Sequence, residues 1–143
     1  MKLYADTSGL ATIVLNEPGA EEIRQAIDAS SEVASAAIGY AELRAAVARA
    51  LRLGRVADEQ REMYREAVER LWSMVEEVPV EGDLIHRAGD LADLFALRGY
   101  DAVHLAALQA VASPGEALFA CFDRALRRAA GGLGYDLLPV SSP

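Results

Sequence analysis

An α/β fold, with a central and mainly parallel sheet of four to five strands covered by helices on both faces, is the architecture this chain predicts. Three observations carry it. Apolar runs at Lys2-Leu3-Tyr4-Ala5 and Ala117-Leu118-Phe119-Ala120-Cys121-Phe122 have the continuous hydrophobicity of buried strands. Helical periodicities alternate with short extended segments along the chain, and that alternation implies parallel pairing through crossover helices. Finally, 143 residues with 52% apolar content fit one domain, 1–143, long enough for a substantial core.

The elements follow in order. The first strand ends on Asp6, and Leu10 to Leu15 continues as a short apolar helix stopped near Asn16-Glu17-Pro18-Gly19. Glu21 to Ala29 reads as a second helix with Ile23, Ala26 and Ile27 on one face, and Glu32 to Ser35 as a second strand. A third helix from Ala37 to Leu53 buries Leu43, Ala46, Val47, Ala50 and Leu51 and stops at Gly54. The fourth, Asp58 to Val75, carries Tyr64, Val68, Leu71 and Trp72, and should pair with the third antiparallel. Val78-Pro79-Val80 fits a brief edge strand. Asp83 to Leu97 is an amphipathic helix broken by Gly99, and Asp101 to Val111 is a nearly all-apolar one. The apolar run ending at Phe122 is followed by Asp123, a helix from Arg124 to Ala130, and a last strand from Asp136 to Val140.

Bulk properties exclude several classes. The net charge of −8 argues against a protein that grips nucleic acid with its whole surface, although a local site remains compatible because salt screens distant charge. Lys2 is the only lysine and every other cation is arginine. Arginine suits bidentate phosphate contacts, but a high-GC coding bias gives the same skew and is the plainer account. A lone cysteine, Cys121, excludes an intrachain disulfide and fits a reducing compartment. No apolar stretch is long enough for a membrane span and no secretory signal is evident, so a cytoplasmic protein is expected.

The chemistry-bearing residues are acids. Asp6 and Asp123 each close a buried strand, and in a parallel sheet those ends share one edge. Asp101 opens an apolar helix, and Glu42 lies one turn into the third helix beside its apolar stripe. Each Asp also has an ordinary reading as a helix cap, and Glu42 as a solvated flank. Together they suggest more, because carboxylates about 5 Å apart repel by roughly 3 kcal/mol per pair at an effective dielectric of 20. Hard divalent ions such as Mg²⁺ or Mn²⁺ take oxygen ligands of this kind and promote displacement at phosphate.

Four segments carry a family resemblance: Tyr4-Ala5-Asp6-Thr7-Ser8-Gly9-Leu10, Tyr40-Ala41-Glu42-Leu43-Arg44, Tyr100-Asp101-Ala102-Val103-His104-Leu105-Ala106, and Phe122-Asp123-Arg124-Ala125-Leu126. In series, and spread over nearly the whole chain, they resemble the PIN-domain family, and more narrowly the VapC-type toxin ribonucleases. The resemblance implies a PIN-like three-layer α/β/α sandwich and a metal-dependent endoribonuclease leaving 5′-phosphate and 3′-hydroxyl ends. Carried over by position, Asp6 and Asp101 would be core metal ligands, with Glu42 and Asp123 completing the site directly or through water. Thr7 or Ser8 would orient carboxylates. Cys121 stands where relatives usually carry serine or threonine, which should weaken the site without abolishing it. A homodimer and a small antitoxin, whose C-terminal segment covers the acidic groove, are the implied partners alongside RNA. The exposed parts of the third and fourth helices would be the groove wall.

Other residues have plainer expectations. His104 fits a buried, hydrogen-bonded histidine better than a general base, and His86 a surface one. Trp72 and Met74 belong to the core or a dimer surface. Arg44, Arg49, Arg124, Arg127 and Arg128 are candidates for guiding an RNA backbone, with solvated surface as the default. Receiver and haloacid-dehalogenase-like phosphatase folds also place a strand-end aspartate on Mg²⁺. Both need a lysine late in the chain, and the phosphatases a second acid where Ser8 stands. The remaining alternative is a catalytically silent PIN-like binding or assembly module.

Overall fold

The computed structural model describes residues 1–141. Along the chain run β1 (Lys2–Ala5), α1 (Thr7–Val14), α2 (Ala20–Ala29), β2 (Val33–Ala36) and α3 (Gly39–Arg52). A single 3₁₀ turn, Asp58–Gln60, leads into α4 (Arg61–Trp72), followed by β3 (Val75–Val78), α5 (Gly82–Phe95) and α6 (Gly99–Val111). Then come β4 (Ala117–Ala120), α7 (Arg124–Gly132) and β5 (Asp136–Leu138).

The five strands form one sheet in the order β3-β2-β1-β4-β5, and every neighbouring pair is parallel. Successive strand residues face opposite sides, so β1 feeds two cores. Tyr4 packs with Phe119, Leu91, Leu105, Leu108 and Leu126 beneath α5, α6 and α7. Leu3 and Ala5 pack with Leu10, Ile23, Leu43, Val47, Val68 and Leu71 beneath α1 to α4. This is the expected three-layer sandwich, with the sheet wholly rather than mainly parallel. The chain leaves central β1 towards β2 on one side and later returns as β4 on the other. Crevices at such switch points, outside the carboxyl ends of the strands, are where open α/β sheets place their sites.

Close packing fixes the entry of α1 into that crevice. A Cβ built on Gly9 would lie 2.6 Å from the carbonyl oxygen of Ala120, so only glycine lets the first turn of α1 meet the end of β4.

Several boundaries differ from the sequence expectation. The third strand is Val75–Val78, not Val78-Pro79-Val80, and α4 stops at Trp72. Pairing of Val33 to Ala36 with Val75 to Val78 recruits Glu76 and Glu77, both exposed, into an edge strand that tolerates charge. Gly99, expected only to break a helix, is the first residue of α6, while Ala96 in the left-handed region (φ 53°) ends α5. Among the described residues no helix is long and apolar enough to cross a membrane.

Candidate active site at the carboxyl edge of the sheet

Asp6 follows β1 directly and Asp123 follows β4 by three residues, and Ala5 and Ala120 at the ends of these strands are register partners. Both aspartates are helix N-caps, as their plainer reading required. The Asp6 carboxylate accepts the Gly9 N–H and the Asp123 carboxylate the Leu126 N–H. Capping does not exhaust Asp6, which is 4% exposed. Its Oδ1 also accepts the Ser8 hydroxyl at 2.6 Å, and its Oδ2 accepts the Cys121 thiol at 3.2 Å. Ser8 Oγ in turn accepts the Phe122 N–H at 2.9 Å, tying the start of α1 to the turn after β4. Burial pushes the Asp6 carboxyl up, and the charge of His104 with the bonds from Ser8, Gly9 and Cys121 only partly offsets it. Burial and the neighbouring Asp6 charge push the Cys121 thiol far up, so it stays a neutral donor.

Glu42, in the first turn of α3, is partly buried. Its Oε1 accepts the Thr7 hydroxyl at 2.8 Å and lies 2.8 Å from His104 Nε2. Burial would raise the Glu42 carboxyl, but the bond to His104, its charge and the Thr7 hydroxyl outweigh that and lower it. His104, 2% exposed on α6, meets the Tyr4 hydroxyl through Nδ1 at 2.9 Å. The expectation that Thr7 and Ser8 orient carboxylates fits this geometry, with Thr7 on Glu42 and Ser8 on Asp6.

Asp101 sits in the first turn of α6, and Arg98 joins it to Asp123, with contacts of 3.2 Å and 3.3 Å. Burial raises the Asp101 carboxyl and the Asp123 charge adds to it, against the opposing pull of Arg98. Arg98 was not singled out from the sequence; its signal is a cation three residues before an acid at a helix start. Tyr4 was read only as part of an apolar run, and its hydroxyl is visible only in three dimensions.

Arg127 departs from expectation. It is not an RNA-facing cation but a buried one, donating to the carbonyls of Cys121, Leu138 and Pro139. Arg49, Arg124 and Arg128 are exposed, and Arg44 bonds Tyr40 and approaches Glu69. Trp72 is half-buried with its indole N–H on Glu77, Met74 is exposed, and His86 is exposed as expected. A surface cleft of about 380 Å³ is lined by residues that include Ser8, Thr12, Glu17, Arg49, Arg55 and Phe122, and none of the four acids lines it.

Among the described residues, no three His, Cys, Asp or Glu side chains stand together at metal-holding separation. The donor set nevertheless suits a hard cation in kind. Each carboxylate oxygen offers two lone-pair sites, and Asp6 Oδ2 has only the weak thiol donor while Glu42 Oε2 has no protein donor among the described residues.

Fold and acidic edge together define an α/β protein of the PIN type. The PIN domain family model matches residues 3–132, and the chain belongs to that family. It is 31% identical over 138 residues, 96% of this chain and 95% of theirs, to Ribonuclease VapC45 and Ribonuclease VapC49 of two Mycobacterium tuberculosis strains, CDC 1551 and H37Rv. The fold is also that of a chain in the crystal structure of VapBC2 from Rickettsia felis bound to a promoter DNA fragment. The TM-score is 0.66 at 12% identity, covering 96% of this chain and 97% of that one.

Proposed function

We propose that this protein is an endoribonuclease, the toxin of a toxin–antitoxin pair, that hydrolyses RNA phosphodiester bonds with Mg²⁺ or Mn²⁺. The observation that carries the reading is the meeting of Asp6, Glu42, Asp101 and Asp123 from four elements at one strand edge, in a chain whose curated relatives are named ribonucleases. Asp6 and Asp101 would be the core ligands, with Glu42 and Asp123 completing the set directly or through water. When bound, a divalent ion supplies an acidified water and offsets charge at the phosphate.

The protein's own groups prepare that edge. Ser8, the Gly9 N–H and Cys121 hold the Asp6 carboxylate in one orientation, and Thr7 with His104 does the same for Glu42. Arg49 on α3, with Arg124 and Arg128 on α7, is exposed and would take backbone phosphates. An antitoxin segment covering the edge and a toxin homodimer are the partners this reading expects.

The competing reading, a silent PIN-like module, draws on Arg98, whose guanidinium contacts both Asp101 and Asp123. Calorimetric titration with Mn²⁺ and cleavage of an RNA panel, on the parent and the Asp6→Asn/Asp101→Asn variant, separate the two. Binding and cleavage that vanish together in the variant support the nuclease. A folded parent that binds no divalent ion and cleaves nothing, or a variant as toxic in cells as the parent, refutes it.

A further inference from the structure

His104 lies at the centre of the acid edge, and both of its ring nitrogens are engaged. Glu42 Oε1, a carboxylate oxygen, can only accept, so His104 Nε2 at 2.8 Å carries a hydrogen and donates it. His104 Nδ1 meets the Tyr4 hydroxyl at 2.9 Å, and the Tyr4 oxygen also accepts the backbone N–H of Ala36 at 3.0 Å. The chain of bonds therefore runs from β2 through β1 and α6 to α3, and ends on a carboxylate. Thr7 donates to the same Oε1, which leaves Oε2 without a protein donor among the described residues. With both nitrogens occupied and the residue 2% exposed, the ring has no lone pair to offer a substrate or a water.

We propose that His104 is a positioning residue. Its Nε2–H, on a ring held from the other side by Tyr4, pins Glu42 Oε1 and leaves Oε2 for a divalent ion, and it takes no part as a proton acceptor. The inference rests on the proposed metal-dependent function, and it assigns His104 and Tyr4 a purpose that packing alone does not require. Groups that orient a ligating carboxylate are worth about 10- to 100-fold in metal affinity.

Two measurements test it. In the metal-free protein, imidazole nitrogen NMR reports the Nε2–H tautomer and a shift of that resonance in Glu42→Gln; an Nδ1–H ring, or no response to Glu42→Gln, overturns the inference whatever the ion does. In Mn²⁺ titrations His104→Leu loses about 10- to 100-fold in affinity and His104→Gln, which restores an N–H donor, recovers most of it. In the Glu42→Gln background His104→Leu costs nothing further, because the effect passes through Glu42. Losses that add, or an affinity of His104→Leu equal to the parent's, overturn it. Should His104→Leu not fold, Thr7→Val removes the other donor to the same oxygen and enters the same cycle with the same criteria. A parent that binds no Mn²⁺ yet shows the Nε2–H signature refutes the nuclease reading and leaves the Tyr4–His104–Glu42 coupling demonstrated.

Discussion

Arg127→Met is a perturbation whose cost follows from the hydrogen bonds it removes. The guanidinium donates from Nη1 to Cys121 O at 2.7 Å and Leu138 O at 2.9 Å, and from Nη2 to Pro139 O at 2.9 Å. Leu138 O keeps a partner in the variant, the Cys121 N–H at 3.0 Å, so two carbonyls lose the bond that satisfied them. A buried acceptor left unpaired costs about 1–3 kcal/mol, which puts the pair at about 2–6 kcal/mol. Methionine covers much of the aliphatic stem, and the substitution relieves the desolvation of a buried charge, so a value of about 3 kcal/mol is expected. At about 3 °C per kcal/mol for a domain of this size, the melting temperature falls by about 10 °C. Thermal unfolding followed by far-ultraviolet circular dichroism reads the change, and urea titration confirms it through a lower midpoint at unchanged slope. Arg127→Lys recovers only part, because a point ammonium cannot span the three carbonyls as a planar fork does. A melting temperature within about 2 °C of the parent's, a shift this size of domain gives for well under 1 kcal/mol, would refute the reasoning that these carbonyls depend on the guanidinium.

Other perturbations probe the acid edge. Because burial holds the folded Asp6 carboxyl above its unfolded value, ionising it costs folded stability. That cost is absent below the ordinary carboxyl range near pH 4 and complete above the raised folded value. Asp6→Asn, which keeps an Oδ1 acceptor for Ser8 and Gly9, therefore raises the melting temperature of the metal-free protein near neutral pH. The gain fades on acidification towards about pH 4; an unchanged or lower value near neutrality counts against the burial account. Gly9→Ala drives a Cβ to 2.6 Å from Ala120 O and costs about 1–3 kcal/mol, read as a lower urea midpoint. Arg98→Ala removes a cation from between Asp101 and Asp123. Since the Arg98 side chain is 81% exposed, stability changes little, while Mn²⁺ affinity rises by up to about fivefold. A fall in that affinity would show that Arg98 assists the ion rather than competing with it.

The sequence revealed those parts of the molecule where composition and position agree. Asp6 and Asp123 were legible because each ends an apolar run, and the α/β order because helical and extended patterns alternate. β3 was not, since its pairing draws in Glu76 and Glu77, whose charge reads as surface until a neighbouring strand is in place. Arg127 was misread for a similar reason: it sits among Arg124 and Arg128, and its inward direction shows only in its spacing of three from buried Ala130. The Tyr4–His104–Glu42 chain joins residues up to 100 positions apart, and no local pattern encodes such a bond.

The placement of central β1 also sets when the edge comes into being. Asp6 and Glu42 belong to the first third of the chain, whereas Asp101, Cys121 and Asp123 belong to the last, and Cys121 reaches Asp6 across 115 residues. Arg127 then binds the carbonyls of Leu138 and Pro139, so the turn bearing Cys121 and Asp123 gains a further clamp, beside the Ser8–Phe122 bond, from residues made later still. A chain emerging from the ribosome thus carries Asp6 and Glu42 before Asp101 and Asp123 have been made. Nascent fragments, and products of premature termination, cannot assemble the full acid set. The order of the elements withholds the complete edge until Asp123 has been made.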